Sequence, residues 1–357
     1  MPVSLADLEP DALASCLEAW GFNGRHAGRI LRAHYRTGAA DSSAHRLPER
    51  LGDRLREAFP SPGLPVVRRQ VATDGTVKLL LGLKDGRTVE SVLMPDFRAD
   101  RAAGCLSSQV GCAMGCDFCA TARSGFDRDL AAGEIVEQFL ALRREAAGAG
   151  RELKTVVFMG MGEPLLNLPA VLAAIGRIAG NHLGGLGWRQ VTVSTVGIVP
   201  GMDALTESGL NVQLAVSLHA PDDVTRARLL PMGRRYRIEA ILAAADRFQA
   251  ARRHPVVIQY CLLRDVNDGI HHAESLGNLL RGRRMHLNLL PYHPTGPGLQ
   301  GVPYRSSTAE AMALFAATVR RQGIVTHVRR SRGCDIDAAC GQLRRQTAGP
   351  AEVAAPK

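Results

Sequence analysis

Aromatic side chains are scarce in this chain, 4% of 357 residues, which argues against a surface of stacking platforms for single-stranded bases. No stretch of about 18 apolar residues occurs, so there is no candidate membrane span. The opening segment, MPVSLADLEPDALASCLEAW, is acidic and amphipathic. It lacks the basic start and apolar middle of a secretion signal. Together these absences point to the cytoplasm. No internal repeat is visible. What remains is 46% apolar and 22% charged, a balance that suits a packed core rather than a disordered chain. The length allows one large domain with a small one beside it, or two ordinary domains.

A net charge of +10 favours a polyanionic partner such as nucleic acid. The basic residues gather in Arg234-Arg235-Tyr236-Arg237, Arg281-Gly282-Arg283-Arg284 and Arg329-Arg330-Ser331-Arg332. Guanidinium groups match phosphate bidentately, although each cluster alone reads equally well as solvated surface. The eight cysteines are unevenly spread, with four of them between residues 105 and 119. A cytosolic protein of this length folds without disulfides, so clustered thiols read as metal ligands or catalysts.

Residues 1–75 read as a helical module, with helices over 7–20, 25–36 and 49–58 and a turn-rich stop at Pro60-Ser61-Pro62-Gly63. Residues 76–98 form a hairpin extension, because the apolar runs VKLLLGL and TVESVLM flank Asp85-Gly86. From 99 to 347 strands and helices alternate. The strands are expected at 155–159, 190–195, 212–217, 256–263, 286–290 and 325–329. The helices between and around them are expected at 133–146, 168–182, 199–208, 238–253, 271–281 and 307–322. Such alternation implies an α/β fold with a parallel sheet, open or curled into a barrel, and chemistry at the carboxyl ends of its strands. The tail 348–357 reads as disordered.

The segment Gly111-Cys112-Ala113-Met114-Gly115-Cys116-Asp117-Phe118-Cys119 contains C-x3-C-x2-C. Three thiolates this close converge on one centre only through a tight loop, which Gly111 and Gly115 permit. A zinc site would need a fourth ligand from elsewhere. A four-iron cluster held by three thiolates leaves one iron open instead. Further on, Gly160-Met161-Gly162-Glu163-Pro164 follows the strand TVVFM, in a place where glycines let backbone approach a ligand and a carboxylate suits an ammonium group. Ser194, Ser217-Leu218-His219 and Asn288 fall at or near expected strand ends, where each alone is more often a satisfied polar residue beside the core.

The cysteine spacing with an aromatic before the last cysteine resembles the signature of radical S-adenosylmethionine (SAM) enzymes. That resemblance implies a [4Fe-4S] cluster on Cys112, Cys116 and Cys119, with the open iron chelating SAM before one electron cleaves it to a 5′-deoxyadenosyl radical. It also implies a partial (βα)6 radical SAM barrel, the GMGEP segment being the SAM-binding motif after the first barrel strand. Gly162, Glu163, Ser194, Ser217, Leu218, His219 and Asn288 match the family's SAM-binding positions.

The stretches CLSSQVGCAMGCDFCAT, FMGMGEPLLN, VTVSTVGIVPG, LAVSLHAPDD, LNLLPY and RGCDIDAACGQL are similar to the RlmN/Cfr branch of RNA methyltransferases. CAMGC and GFDRDL look more like its RlmN members. The branch implies methylation of carbon 2 of an adenosine in 23S rRNA, with a tRNA purine beside the anticodon as a further substrate. Cfr-type methylation at carbon 8 is the near alternative.

Under this resemblance Cys340 carries the methyl group as S-methylcysteine. Cys105 removes a proton and resolves the RNA–protein link, leaving a Cys105–Cys340 disulfide to be reduced, and two SAM are consumed per turnover. Glu90 matches a carboxylate assigned as proton acceptor, an exposed strand glutamate being the plain alternative. Residues 1–75 match an accessory RNA-binding domain. A flavodoxin- or ferredoxin-type electron donor and a monomeric state are expected. The chain departs from the pattern at Ala122, His293 and the extra Cys334. A non-catalytic iron–sulfur or zinc RNA-binding protein is the reading from another class.

Overall fold

The structure, a computed structural model, describes residues 4–37, 47–59 and 63–343. The expected tail at 348–357 and most of the turn at 60–63 lie outside them. Ser4 opens the described chain as a cap: its Oγ accepts from the Ala6 N–H while the Asp7 carboxylate accepts from the Ser4 N–H, closing a short 3-10 turn. Pro10 then takes the first position of α1 (Pro10–Ala19), so this helix starts later than its apolar spacing suggests. Helices α2 (Ala27–Thr37) and α3 (Glu49–Ala58) follow, the last with the expected bounds.

These helices pack on the rest of the molecule through polar as well as apolar contacts. The Arg177 guanidinium, nearly buried, reaches the Glu9 carboxylate at 2.6 Å and the Ala6 carbonyl at 2.7 Å. Arg143 donates to the Tyr35 carbonyl at 2.9 Å. Replacing Arg177 with alanine leaves a buried carbonyl unpaired and is expected to cost about 1–3 kcal/mol at this seam. Hydrogen exchange of residues 4–19 should quicken while the sheet stays protected; unchanged exchange there would show that Arg177 does not fasten the module.

A ten-stranded sheet follows. Its first three strands, β1 (Val66–Val71), β2 (Val77–Gly82) and β3 (Thr88–Pro95), are antiparallel, and β3 pairs antiparallel with β4 (Arg101–Cys105). The expected hairpin therefore forms, but with an extra strand on its edge. Strand β1, VVRRQV, is half polar and largely exposed, as a charged sheet edge must be.

A small hairpin, β5 (Gln109–Gly111) with β6 (Phe126–Asp129), brackets the cysteine loop and the short helix α4 (Ala120–Arg123). Then come α5 (Ala132–Gly148), β7 (Glu152–Phe158), α6 (Leu168–Ala179), β8 (Val191–Thr195), α7 (Val199–Glu207) and β9 (Gln213–Ser217). They are followed by α8 (Asp223–Leu229), α9 (Ile238–Arg252), β10 (Val256–Leu262), α10 (Ile270–Leu280), β11 (Met285–Pro291), α11 (Ala309–Arg321) and β12 (Thr326–Val328).

From β4 onward every neighbouring pair in the order β4-β7-β8-β9-β10-β11-β12 is parallel, and the sheet remains open between β1 and β12. The architecture is a partial (βα)6 barrel. One expectation needs correcting: the strand at 155–159 is the second of the parallel series, and β4 is the first. RAAGC has no β-branched residue and no apolar alternation to mark it. It is a strand because β3 and β7 pair with it on both sides.

Candidate active site

Residues directly opposite in paired strands share a face of the sheet, and side chains alternate along each strand. The register therefore decides which expected site residues meet. Leu80 opposes Glu90, Val92 opposes Cys105, Cys105 opposes Val157 and Val157 opposes Thr192. Ser194 opposes Ala215, Ser217 opposes Gln259 and Gln259 opposes Asn288. Glu90, Cys105, Ser194, Ser217 and Asn288 thus lie on one face of one sheet. The alternate residues Leu214, Val216, Ile258, Leu287 and Leu289 are fully buried on the other.

The cysteine loop sits over this face. Gly111, at φ +80°, starts it: a Cβ there would lie 1.9 Å from the Gly125 carbonyl oxygen, to which the Cys112 N–H donates at 2.8 Å. The Cys119 N–H closes a turn on the Cys116 carbonyl at 3.0 Å, and the Asp117 N–H donates to Leu229 at 2.9 Å, tying the loop to α8. Backbone N–H groups of Met114 and Gly162 are directed at the Cys112 sulfur. Among the described residues no three His, Cys, Asp or Glu side chains converge as ligands of a single metal ion. A four-iron cluster asks for something different, because its thiolates bind separate irons. Burial raises Cys112 to about 12, and burial with the neighbouring thiols raises Cys116 as well. As thiolates the pair needs positive charge close by, and iron would supply it.

The GMGEP segment packs against the residues leading into the loop. The Ser108 N–H donates to the Met161 carbonyl at 2.9 Å, and the Glu163 N–H to Gln109 Oε1 at 2.8 Å. Gly162 has φ +100°, and a Cβ there would fall 2.6 Å from the Gln109 Cβ, so only glycine lets the two segments touch. Glu163 is buried; its carboxylate accepts from Leu165 N–H at 3.0 Å and Val196 N–H at 2.8 Å. Burial nevertheless outweighs these bonds and lifts its carboxyl to about 7. A cation at this carboxylate would restore the ionised form.

His219 lies two residues beyond the end of β9 with a left-handed backbone, φ +59°. Its Nδ1 accepts from the Cys261 N–H at 2.9 Å, so the neutral ring carries its proton on Nε2. Burial and Arg226 hold its pKa down to about 3. Its ring meets Phe118 edge-on, centroids 5.1 Å apart, which ties the cysteine loop to the end of β9. Leu218 is fully buried and its N–H donates to Gln259.

The carboxyl-terminal segment closes the arrangement. The Ala120 N–H, next to Cys119, donates to the carbonyl of Gly341, next to Cys340, at 2.7 Å, and Thr121 Oγ1 donates to Leu343 at 2.5 Å. Cys340 is exposed by area, yet protein crowds it enough to raise its thiol, a rise that Arg329 opposes. Burial, with Cys340 next in effect, pushes Cys105 up to about 12. All eight cysteines are free thiols, so the Cys105–Cys340 disulfide expected after turnover is not formed here.

Some contributors were expected, and others, Lys78, Cys261 and Gln109, were not. Glu90 is wholly buried rather than an exposed strand residue, and pairs with the equally buried Lys78 at 3.3 Å. Lys78 also donates to the Asp337 carbonyl at 3.1 Å, on the approach to Cys340. Cys261 is buried on the same sheet face as Ser217 and Asn288. Gln109, inside SSQVGC, links both motifs, donating also to Asp129 at 2.7 Å. Arg329 alone of its cluster acts on Cys340. The departures His293 and Cys334 meet each other, with Nε2 and Sγ 3.7 Å apart.

Comparison with known proteins agrees with this geometry. Residues 106–276 match the model of the Radical SAM superfamily. A probable dual-specificity RNA methyltransferase RlmN 1 from Opitutus terrae is 66% identical over 96% of this chain and 97% of its own. A probable dual-specificity RNA methyltransferase RlmN from Rhodopirellula baltica is 44% identical over 84% and 79%. The crystal structure of a radical SAM methyltransferase from Sphaerobacter thermophilus superposes with TM-score 0.89 at 42% identity, covering 96% of this chain and 99% of that one. No helix among the described residues is long and apolar enough to cross a membrane. The chain belongs to the RlmN family of radical SAM RNA methyltransferases, which use a [4Fe-4S] cluster and SAM.

Proposed function

We propose that the protein methylates carbon 2 of an adenosine in 23S rRNA, and of a tRNA adenosine beside the anticodon, through a methyl group carried on Cys340. One observation supports this most: Cys105 ends the first parallel strand while the Cys340 segment is hydrogen-bonded to the cysteine loop. Two thiols thus flank the place where Cys112, Cys116 and Cys119 would hold the cluster. When bound, the cluster supplies the electron that turns SAM into a hydrogen-abstracting radical source.

The protein's residues do the remainder. Gly162 and Glu163 would hold the methionine end of SAM, with Ser194, Ser217, Leu218, His219 and Asn288 around the rest. The amidine carbons of adenine are poor nucleophiles, so methyl transfer starts on sulfur. Arg329 favours the Cys340 thiolate that accepts the methyl group and releases S-adenosylhomocysteine. After that methyl carbon has lost a hydrogen atom and bonded to the adenine, Cys105 takes the ring proton. Its sulfur then bonds to that of Cys340 as the S–C bond to product breaks, and a proton returns to the freed methylene carbon. The one electron left over goes back to the electron-transfer protein, and an external reductant restores both thiols. Glu90 lies on the same face as Cys105 with Lys78 beside it, suited to receive the proton. Residues 1–75 would act as the RNA-binding accessory domain of a monomer that takes electrons from a flavodoxin- or ferredoxin-type protein.

The test is anaerobic reconstitution with iron, sulfide, SAM, a reductant and protein-free ribosomal RNA, read by nucleoside chromatography. The expected product is 2-methyladenosine. Dominant 8-methyladenosine would move the ring position to the Cfr type, and no methylated adenosine with an intact cluster would end the enzyme reading.

A further inference from the structure

A guanidinium group buried without an anionic partner is costly, because the desolvation of a charge is repaid only by a close counter-charge. Arg226 is such a group. It is fully buried in α8. Its guanidinium donates to the carbonyls of Val196 and Tyr236, and its Nε is buried with no hydrogen-bond partner. No carboxylate of the described residues forms an ion pair with it; Asp223, on the same helix, acts only at longer range and already binds Arg237 and the Ile238 N–H.

The location adds the second half of the argument. Three residues after Arg226, the Leu229 carbonyl accepts from Asp117, which directly follows Cys116. One of the two carbonyls that Arg226 holds, that of Val196, belongs to the residue whose N–H caps the Glu163 carboxylate. Arg226 therefore belongs to a helix bonded to the cysteine loop, and its guanidinium holds the backbone beside the GMGEP carboxylate. Burial draws its pKa down to about 10, and the largest opposing influence is the sulfur of Cys116.

We propose that Arg226 is the buried counter-charge of the iron–sulfur cluster, a positioning residue that stabilises the cluster's added negative charge on reduction and so raises its reduction potential. The inference rests on the assignment of the cluster to Cys112, Cys116 and Cys119. Three thiolates around a four-iron core carry net negative charge, which grows by one on reduction. A fixed cation a short distance away in a dry interior favours the reduced form. SAM cleavage needs that form.

Anaerobically prepared holoenzyme should be compared as wild type, Arg226→Gln and Arg226→Lys, by counting iron and by following the reduced cluster with electron paramagnetic resonance in a potentiometric titration. Glutamine keeps hydrogen-bond donors but loses the charge. It should lower the reduced-to-oxidised ratio at least tenfold at fixed potential, about 59 mV for a one-electron couple. Lysine should return the ratio to near wild type. A purely structural role would lower thermal stability in both variants and leave the titration in place, and Arg226→Gln titrating with wild type at full iron content would overturn the proposal. If both variants misfold, Asp223→Asn decides, because it removes the weak opposing charge and leaves Arg226 in place. The ratio should then rise, and an unchanged or lower one overturns the proposal. Failure of wild type to hold iron would instead refute the cluster assignment.

Discussion

Cys340→Ala is expected to abolish RNA methylation while leaving iron content and fold unchanged, and Cys105→Ala to leave protein covalently attached to RNA. The two thiols occupy different places in the structure, and that is why their losses should differ. Cys340 is exposed on the carboxyl-terminal segment, where crowding raises its thiol and Arg329 opposes that rise. Without it, no sulfur takes the first methyl group and turnover never starts, so activity should fall below detection. Cys105 is buried at the end of β4, with its thiol pushed up to about 12. It is a poor nucleophile until a base removes its proton, which suits a group that acts late. Without it the link between RNA and Cys340 should form and persist. Denaturing gel electrophoresis with labelled RNA reads both outcomes. Wild-type methylation by Cys340→Ala would remove the methyl-carrier step, and release of normally methylated RNA by Cys105→Ala would remove Cys105 from resolution.

SAM affinity should fall about tenfold for each pH unit below 7 and stay level above it. Glu163 is the cause: burial raises its carboxyl from 4.5 to about 7 despite N–H bonds that favour the ion. The amine of SAM is best met by the ionised carboxylate, so below pH 7 binding must first expel a proton. The protein without SAM should show the opposite preference. Between pH 4.5 and 7 the folded state holds a proton that the unfolded chain releases. Stability therefore declines as pH rises through that window and is level above it. Calorimetric SAM titrations between pH 5.5 and 8, with Glu163→Gln as control, check the first statement; thermal unfolding checks the second. A pH-independent affinity in wild type would mean that Glu163 does not meet the amine.

Much of this was legible in the sequence, for identifiable reasons. Apart from α8, which no expectation covered, the helices from residue 132 onward and the strands from 152 onward follow apolar periodicity and agree with expectation to within a few residues. The cysteine loop and GMGEP are legible because glycine and thiolate spacing is chemistry written locally. What stayed hidden depends on pairing between distant segments. Strand β4 exists through its two neighbours. Lys78 reads as a surface lysine in VKLLLGL until β3 places Glu90 diagonally across from it. Gln109 and Arg226 look like ordinary polar residues, and only their burial marks them. Register, which a single sequence does not state, puts Glu90, Cys105, Ser217 and Asn288 on one face.

The hydrogen bonds of the carboxyl-terminal segment also bear on how the enzyme is made. Asp335 meets Thr73, Gly333 meets Asp74 and Lys78 meets Asp337, pairs separated by 262, 259 and 259 residues. At ordinary ribosomal speed the later partner emerges roughly 10–50 s after the earlier one. The cysteine loop is complete during most of that interval, while the strand of chain that bonds to Ala120 and Thr121 does not yet exist. The cysteine loop and the segment that straps it are therefore made many seconds apart, and a growing chain presents the loop without the strap.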